Sequence, residues 1–231
     1  MTQDAFAGRH TEEKLEAIEK YLKAYTTALK KRSFKLIYFD AFAGTGEVPF
    51  QHKSLESFFK IEDEDIEKIV IGSADRALNY PFHAYYFVEK IEKKFNDLRN
   101  KYSSYAKEKN IQFLHGDANE HLKEFIRQFN PDTCRALIFL DPFGNQISMD
   151  TLELLASKPG LDIWYLFPAG LGVNRQISKT GHVVKEAEQS LDRIFGKYDW
   201  RSALLKEIPN PNLFDSDAKS KMRYPVKLQN L

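Results

Sequence analysis

Four acids stand where short apolar runs stop. Asp40 follows Leu36-Ile37-Tyr38-Phe39, and Glu89 follows Tyr85-Tyr86-Phe87-Val88. Asp117 lies just past Ile111-Gln112-Phe113-Leu114, and Asp141 follows Ala136-Leu137-Ile138-Phe139-Leu140. A carboxylate accepts hydrogen bonds from hydroxyls and amines, so such a set reads as a cradle for a polar ligand. Beside the first acid runs Ala41-Phe42-Ala43-Gly44-Thr45-Gly46-Glu47. Gly44 and Gly46 lack a Cβ, so they allow positive φ and let the backbone lie close against a bound molecule.

Glycine turns serve several ligands, and the spacing discriminates among them. A triphosphate loop needs G-x-x-x-x-G-K-[ST], which the chain does not contain. The dinucleotide fingerprint needs G-x-G-x-x-G opening straight into a helix. Here Gly44-Thr45-Gly46 runs into Glu47-Val48-Pro49 with no third glycine. That counts against a pyrophosphate seated on a helix N-terminus. The expected ligand is a nucleoside without phosphates, its polar tail near Asp40. The histidines His10, His52, His83, His115, His121 and His182 form no i, i+4 pair and join no cysteine cluster, so no metal site is expected. Cys134 precedes a strand beside Arg135 without a visible base and reads as structural.

The elements that must position these residues follow from hydrophobic period. Residues 1–9 read as a lead-in. Thr11 reads as an N-cap, with Glu12 and Glu13 in the first turn. Leu15, Ile18, Leu22, Tyr25 and Leu29 then recur at helical spacing. After the first strand and its glycine turn, residues 47–71 read as an insertion. Ser73 reads as the N-cap of a helix through Leu78. A second strand ends at Glu89, and Ile91, Phe95, Leu98 and Tyr102 mark a helix. A third strand leads to Asp117, and Leu122, Phe125, Ile126 and Phe129 mark another helix. The fourth strand, 136–140, is continuously apolar, as expected when both faces are covered. A helix over 149–156, a fifth strand over 161–167, and helices over 183–195 and 200–206 complete the pattern. Residues 210–231 read as an irregular tail, with room for a strand near Tyr224–Leu228.

Strand and helix alternate five times. This predicts an α/β chain with a Rossmann-like, doubly wound, mostly parallel sheet and an N-terminal helix, in one domain over 1–231. In such a sheet the strands' carboxyl ends share one crevice, where ligands bind. Hydrophobic residues make up 42% and aromatics 13%, enough for a sizeable core. The formal net charge of +1 gives no global pull towards nucleic acid or an anionic membrane, though local patches can still recognise nucleic acid. One cysteine excludes an internal disulfide framework and fits a reducing compartment. With no signal-like start and no run long enough to span a bilayer, the expectation is a soluble cytoplasmic protein without a membrane partner.

Asp40-Ala41-Phe42-Ala43-Gly44-Thr45-Gly46 resembles the first motif of class I S-adenosylmethionine-dependent methyltransferases. The resemblance implies that Asp40, Phe42, Gly44 and Gly46 line the cofactor and that Glu89 holds the ribose hydroxyls. It also implies that Asp117, beside Ala118, accepts from the adenine amino group. Asp141-Pro142-Phe143-Gly144 resembles the acceptor-facing loop of enzymes that methylate exocyclic base amines, and the Asp-Pro-Phe-Gly of tRNA guanine-N2 methyltransferases. It differs in having Phe143 where the base-amine enzymes usually carry a second proline. On that likeness Asp141 accepts the amine's hydrogens, Pro142 stiffens the loop and Phe143 stacks on a flat substrate in RNA or DNA.

A closer likeness covers most of the chain. The helix from His10-Thr11, Tyr38–Gly44, Gly72-Ser73, Phe139–Gly144, and Ile194-Phe195-Gly196 before Trp200 resemble the three-Cys-motif partner proteins. These are prokaryotic proteins named for a neighbouring gene whose product carries three cysteines. The resemblance implies a protein partner. Against the catalytic expectation stands a non-catalytic one, in which the methyltransferase fold is kept as that protein's partner.

Overall fold

The computed structural model describes residues 4–45, 73–169, 173, 175–178, 181–207 and 219–221. The expected insertion over 47–71, the strand near Tyr224–Leu228, Gly46, Gly72 and Gly170–Gly172 lie outside the described residues. The chain falls into two compact units. One comprises Met1–Leu140 with Lys158–Trp164, the other Asp141–Ser157 with Tyr165–Leu231.

The strands β1 (Lys35–Asp40), β2 (Ala84–Glu89), β3 (Ile111–His115), β4 (Cys134–Leu140) and β5 (Leu161–Tyr165) form one parallel sheet in the order β3-β2-β1-β4-β5. The chain steps outward from β1 to β3, then returns to place β4 on β1's other side. The strand order therefore reverses between β1 and β4, the switch point at which open sheets form ligand crevices. Asp40 pairs in register with Phe87 and Phe139, and Glu89 with His115. The ends of β1, β2 and β3 thus lie along one edge. The expected fold class is the one observed.

Helix α1 (Asp4–Leu29) begins seven residues before the expected cap at Thr11. The stretch over 4–10 holds no proline, so nothing in it interrupts the helical backbone before Thr11. Its buried stripe of Ile18, Leu22 and Tyr25 follows the expected period. Tyr25 stacks on Phe82 (6.2 Å), and Phe82 packs on Tyr38 of β1 (5.5 Å). Helices α2 (Ser73–Leu78) and α3 (Glu92–Lys101) follow β1 and β2, with a single 3-10 turn at Tyr105–Lys107 before β3. Tyr102, just past α3, meets Phe87 at 6.0 Å. Helix α4 (Ala118–Gln128) sets Phe125 against Phe39, on the β1 residue next to Tyr38 and so on the other side of the sheet.

In the second unit, helices α5 (Met149–Ser157), α6 (Lys185–Phe195) and α7 (Trp200–Leu204) are followed by a short antiparallel pair, β6 (Leu205–Glu207) and β7 (Lys219–Lys221). Val173, Ile177, Leu191 and Trp200 form its core, joined by Phe167 and Phe195. The fifth strand stops at Tyr165 rather than Phe167, and the helix expected over 200–206 stops at Leu204. Leu205 instead enters the β6–β7 ladder, a tertiary pairing that overrides local helical preference.

Candidate functional site

The loop after β1 is pinned from both sides. The Ala41 N–H donates to the Phe139 carbonyl (3.1 Å) and the Ala43 N–H to the Val88 carbonyl (3.0 Å). Asp40 is 0% exposed. Its Oδ1 accepts from the Phe42 N–H (3.0 Å), and its Oδ2 accepts from the Ser73 hydroxyl at the start of α2 (2.5 Å). The ligand's polar tail was expected near Asp40; the carboxylate is instead enclosed by these donors and shapes the turn. A buried carboxylate needs donors, and the turn and α2 supply them. Ser73, expected as a cap, is the first residue of α2 and fastens that helix to β1. Ala41 and Ala43 are buried and Phe42 is partly exposed. Gly44 has φ 64°, and a Cβ there would meet nothing within 4 Å among the described residues. Among those residues the turn leaves a ledge of backbone uncovered.

Glu89 ends β2 beside that ledge in sheet order. Its Oε1 accepts from the Ile91 N–H (2.7 Å), closing a tight turn that leaves Ile91 53% exposed. Its other oxygen has no hydrogen-bond partner among the described residues. Asp117 caps α4: Oδ1 accepts from the Asn119 N–H (2.9 Å) and side-chain amide (3.0 Å). Lys90 Nζ lies 3.0 Å from Oδ2. Burial pushes this carboxyl up, but the Asn119 hydrogen bonds and the Lys90 ammonium outweigh it and hold it down at about 2. Ala118, the first residue of α4, is buried. Of the residues expected around the ligand, Asp40, Asp117 and Ala118 thus serve the scaffold. Gly44 and Glu89 present surface.

Two neighbours escaped sequence reasoning. Lys90 and Ile91 directly follow Glu89, and a cation beside a strand-end acid was a readable signal. His115 faces the Lys90 carbonyl through Nε2 (3.1 Å) and packs on Phe95 (5.0 Å between rings).

In the second unit, Asp141-Pro142-Phe143-Gly144 is an ordered turn. Pro142 is buried and Asp141 exposed. The Phe143 N–H donates to Gln146 Oε1 (3.0 Å), and Gly144 takes φ 81°. Asn145 Nδ2 donates to Ser190 Oγ on α6 (3.1 Å), which also receives Gln176 Nε2 (3.0 Å). With its backbone held, Phe143 stands 79% exposed, the most exposed large apolar side chain among the described residues. A bare aromatic face on a fixed turn is suited to stacking on a flat partner.

Among the described residues, no cluster of His, Cys, Asp and Glu could hold a metal ion, and no helix is long and apolar enough to cross a membrane. Comparison with protein families, with curated proteins and with solved structures returned no match.

Proposed function

We propose that this chain is a class I S-adenosylmethionine-dependent methyltransferase acting on an amino nitrogen of a nucleobase in RNA or DNA, and that it belongs with the three-Cys-motif partner proteins of the prokaryotic cytoplasm. One conjunction supports the reading. A glycine turn with a backbone ledge at Gly44 and an acid at Glu89 share the switch-point edge of a sheet ordered β3-β2-β1-β4-β5. The residues fit the cofactor in part. Gly44 gives a backbone ledge, Glu89 an oxygen for ribose hydroxyls, and Ile91 an apolar surface. Asp40 acts behind the ledge, and Asp117 would reach a ligand only by sharing its Lys90 contact.

S-adenosylmethionine supplies an electrophilic methyl group when bound. The chain's own part is to orient the acceptor. Asp141 would accept hydrogen bonds from an amine, Pro142 would keep the turn stiff and Phe143 would stack on the base. Positioning of this kind supplies much of a rate without a strong base.

Calorimetry with S-adenosylhomocysteine tests the cofactor, with saturable binding expected for the wild type and a loss of about tenfold or more for Glu89→Ala. Absence of binding, or equal binding by the variant, would sink the assignment. A second reading is favoured by the engagement of Asp40, Asp117 and one Glu89 oxygen within the fold. It is a non-catalytic methyltransferase fold serving as partner of a three-cysteine protein. Cofactor binding without transfer of labelled methyl to total RNA or DNA, together with co-purification of that partner, would select it.

A further inference from the structure

We infer that the amino-terminal edge of the sheet, opposite the edge of Gly44 and Glu89, binds the backbone of a single-stranded nucleic acid. The whole edge argued from here lies in the first unit. Parallel strands start along one edge, and backbone hydrogen bonds align the starts. The Lys35 N–H donates to the Thr133 carbonyl (2.9 Å), the His83 N–H to the Leu36 carbonyl (2.7 Å) and the Tyr85 N–H to the Asn110 carbonyl (2.9 Å). Lys30, Lys31 and Arg32 stand in the turn from α1 to β1, Lys35 opens β1, and Lys107 and Lys109 precede β3. In the segments 30–35, 79–83, 103–110 and 129–133, which lead into β1 to β4, two acids, Glu108 and Asp132, face these six cations. The whole chain carries a net charge of +1, so its positive excess is concentrated at this edge. Lys30, Lys31, Arg32, Lys35 and Lys107 are exposed, and none of the five makes an ion pair among the described residues. The helix dipole accounts for cations just past α1. It does not account for Lys35 and Lys109, which lead into strands.

An aromatic ring on the same edge selects the polyanion. Tyr105 is 47% exposed and packs edge-on against the buried Tyr102 (6.0 Å). Its turn is fixed, because the Tyr105 carbonyl accepts from the Glu108 N–H (3.0 Å) and the Lys109 N–H (2.8 Å). Lys109 Nζ is itself held over the Tyr85 ring (5.6 Å). A bare ring beside lysines stacks a base while the ammonium groups follow the phosphates. A duplex hides its base faces from such a ring, so a single strand fits. Strands β3 and β1 lie about 10 Å apart across β2, close enough for both groups of cations to follow one backbone. The surface stands on charge and exposure alone and does not need the chain to transfer methyl.

The test is fluorescence anisotropy of the full chain, without cofactor, on fluorescein-labelled oligodeoxythymidylate and oligouridylate of about 20 nucleotides, over a range of salt. Saturable binding that weakens with salt is expected, and the tighter strand names the natural class. Lys31→Gln with Lys35→Gln should make the slope of log K against log salt shallower by about 1.4, at about 0.7 for each lost phosphate contact. Lys93→Gln with Lys94→Gln on α3 removes the same charge elsewhere and should leave the slope unchanged. Tyr105→Ala should weaken binding about fivefold or more with no change of slope. Should the first variant not melt like the wild type, Lys30→Gln with Lys107→Gln takes its place. Four outcomes each overturn the inference: no saturable binding to either strand, a slope that the edge variant leaves unchanged or that the α3 variant lowers equally, an affinity indifferent to Tyr105→Ala, or binding to phosphatidylserine vesicles but to neither strand. None of them bears on cofactor binding, which calorimetry reads separately.

Discussion

Asp117 shows how one side chain can be committed twice. It caps α4 and pairs with Lys90. Asp117→Ala should lower unfolding free energy by about 1 kcal/mol, the usual worth of an N-cap, read as a shifted urea midpoint. Asp117→Asn keeps the cap and removes the charge. With side chains 69% and 33% exposed, the Lys90–Asp117 pair is screened, so Asn should cost less than about 1 kcal/mol near neutral pH. The sign of its pH dependence is fixed. The folded carboxyl is depressed to about 2, below the ordinary carboxylate value of about 3.9. Its contribution is therefore full above about pH 4 and disappears as the pH falls towards about 2. Wild type and Asp117→Asn should converge over that interval. Ser73→Ala tests the enclosed acid: with one donor to Asp40 lost, destabilisation of about 1–3 kcal/mol is expected in the same assay. Phe143→Ala should leave stability within about 0.5 kcal/mol, because the ring touches little. If a base stacks there, methyl transfer should fall by about tenfold or more, since such stacking is worth about 1–3 kcal/mol.

At the scale of elements, the sheet was legible because its strands are short, apolar and punctuated. Leu36–Phe39, Ala84–Val88 and Ala136–Leu140 announce themselves, and Leu122, Phe125 and Ile126 give α4 its period. What remained hidden depends on partners distant in sequence. The direction of Asp40 is set by a serine 33 positions away. The three-residue strand Leu205–Glu207 is too short to carry a period and exists through its pairing with Lys219–Lys221. The candidate site was half legible for the same reason: the acids could be found, but whether each faces outward or serves the scaffold is decided by burial. Gly196 makes a test at this scale. It ends α6 with φ 58° and ψ −123°, and a Cβ there would fall 2.9 Å from Met149 on α5. Gly196→Ala should cost about 1–3 kcal/mol from backbone strain alone, measured by thermal unfolding.

For the whole molecule, the two compact units carry different parts of the proposed chemistry. The glycine ledge and Glu89 belong to the first, the Asp141–Phe143 turn to the second. The chain's two tryptophans divide the same way. Trp164 meets Tyr21 edge-on at 4.9 Å in the first unit. In the second, Trp200 donates its indole N–H to Asp192 (2.7 Å) beneath the Arg201 guanidinium, 4.3 Å from the ring. The molecule thus contains its own pair of optical gauges. Trp200→Phe leaves emission from the first unit alone, and Trp164→Phe leaves it from the second. Superposable melting curves from the two single-tryptophan chains would describe one cooperative body. Displaced curves would mean that the halves proposed to hold donor and acceptor keep separate thermal lives.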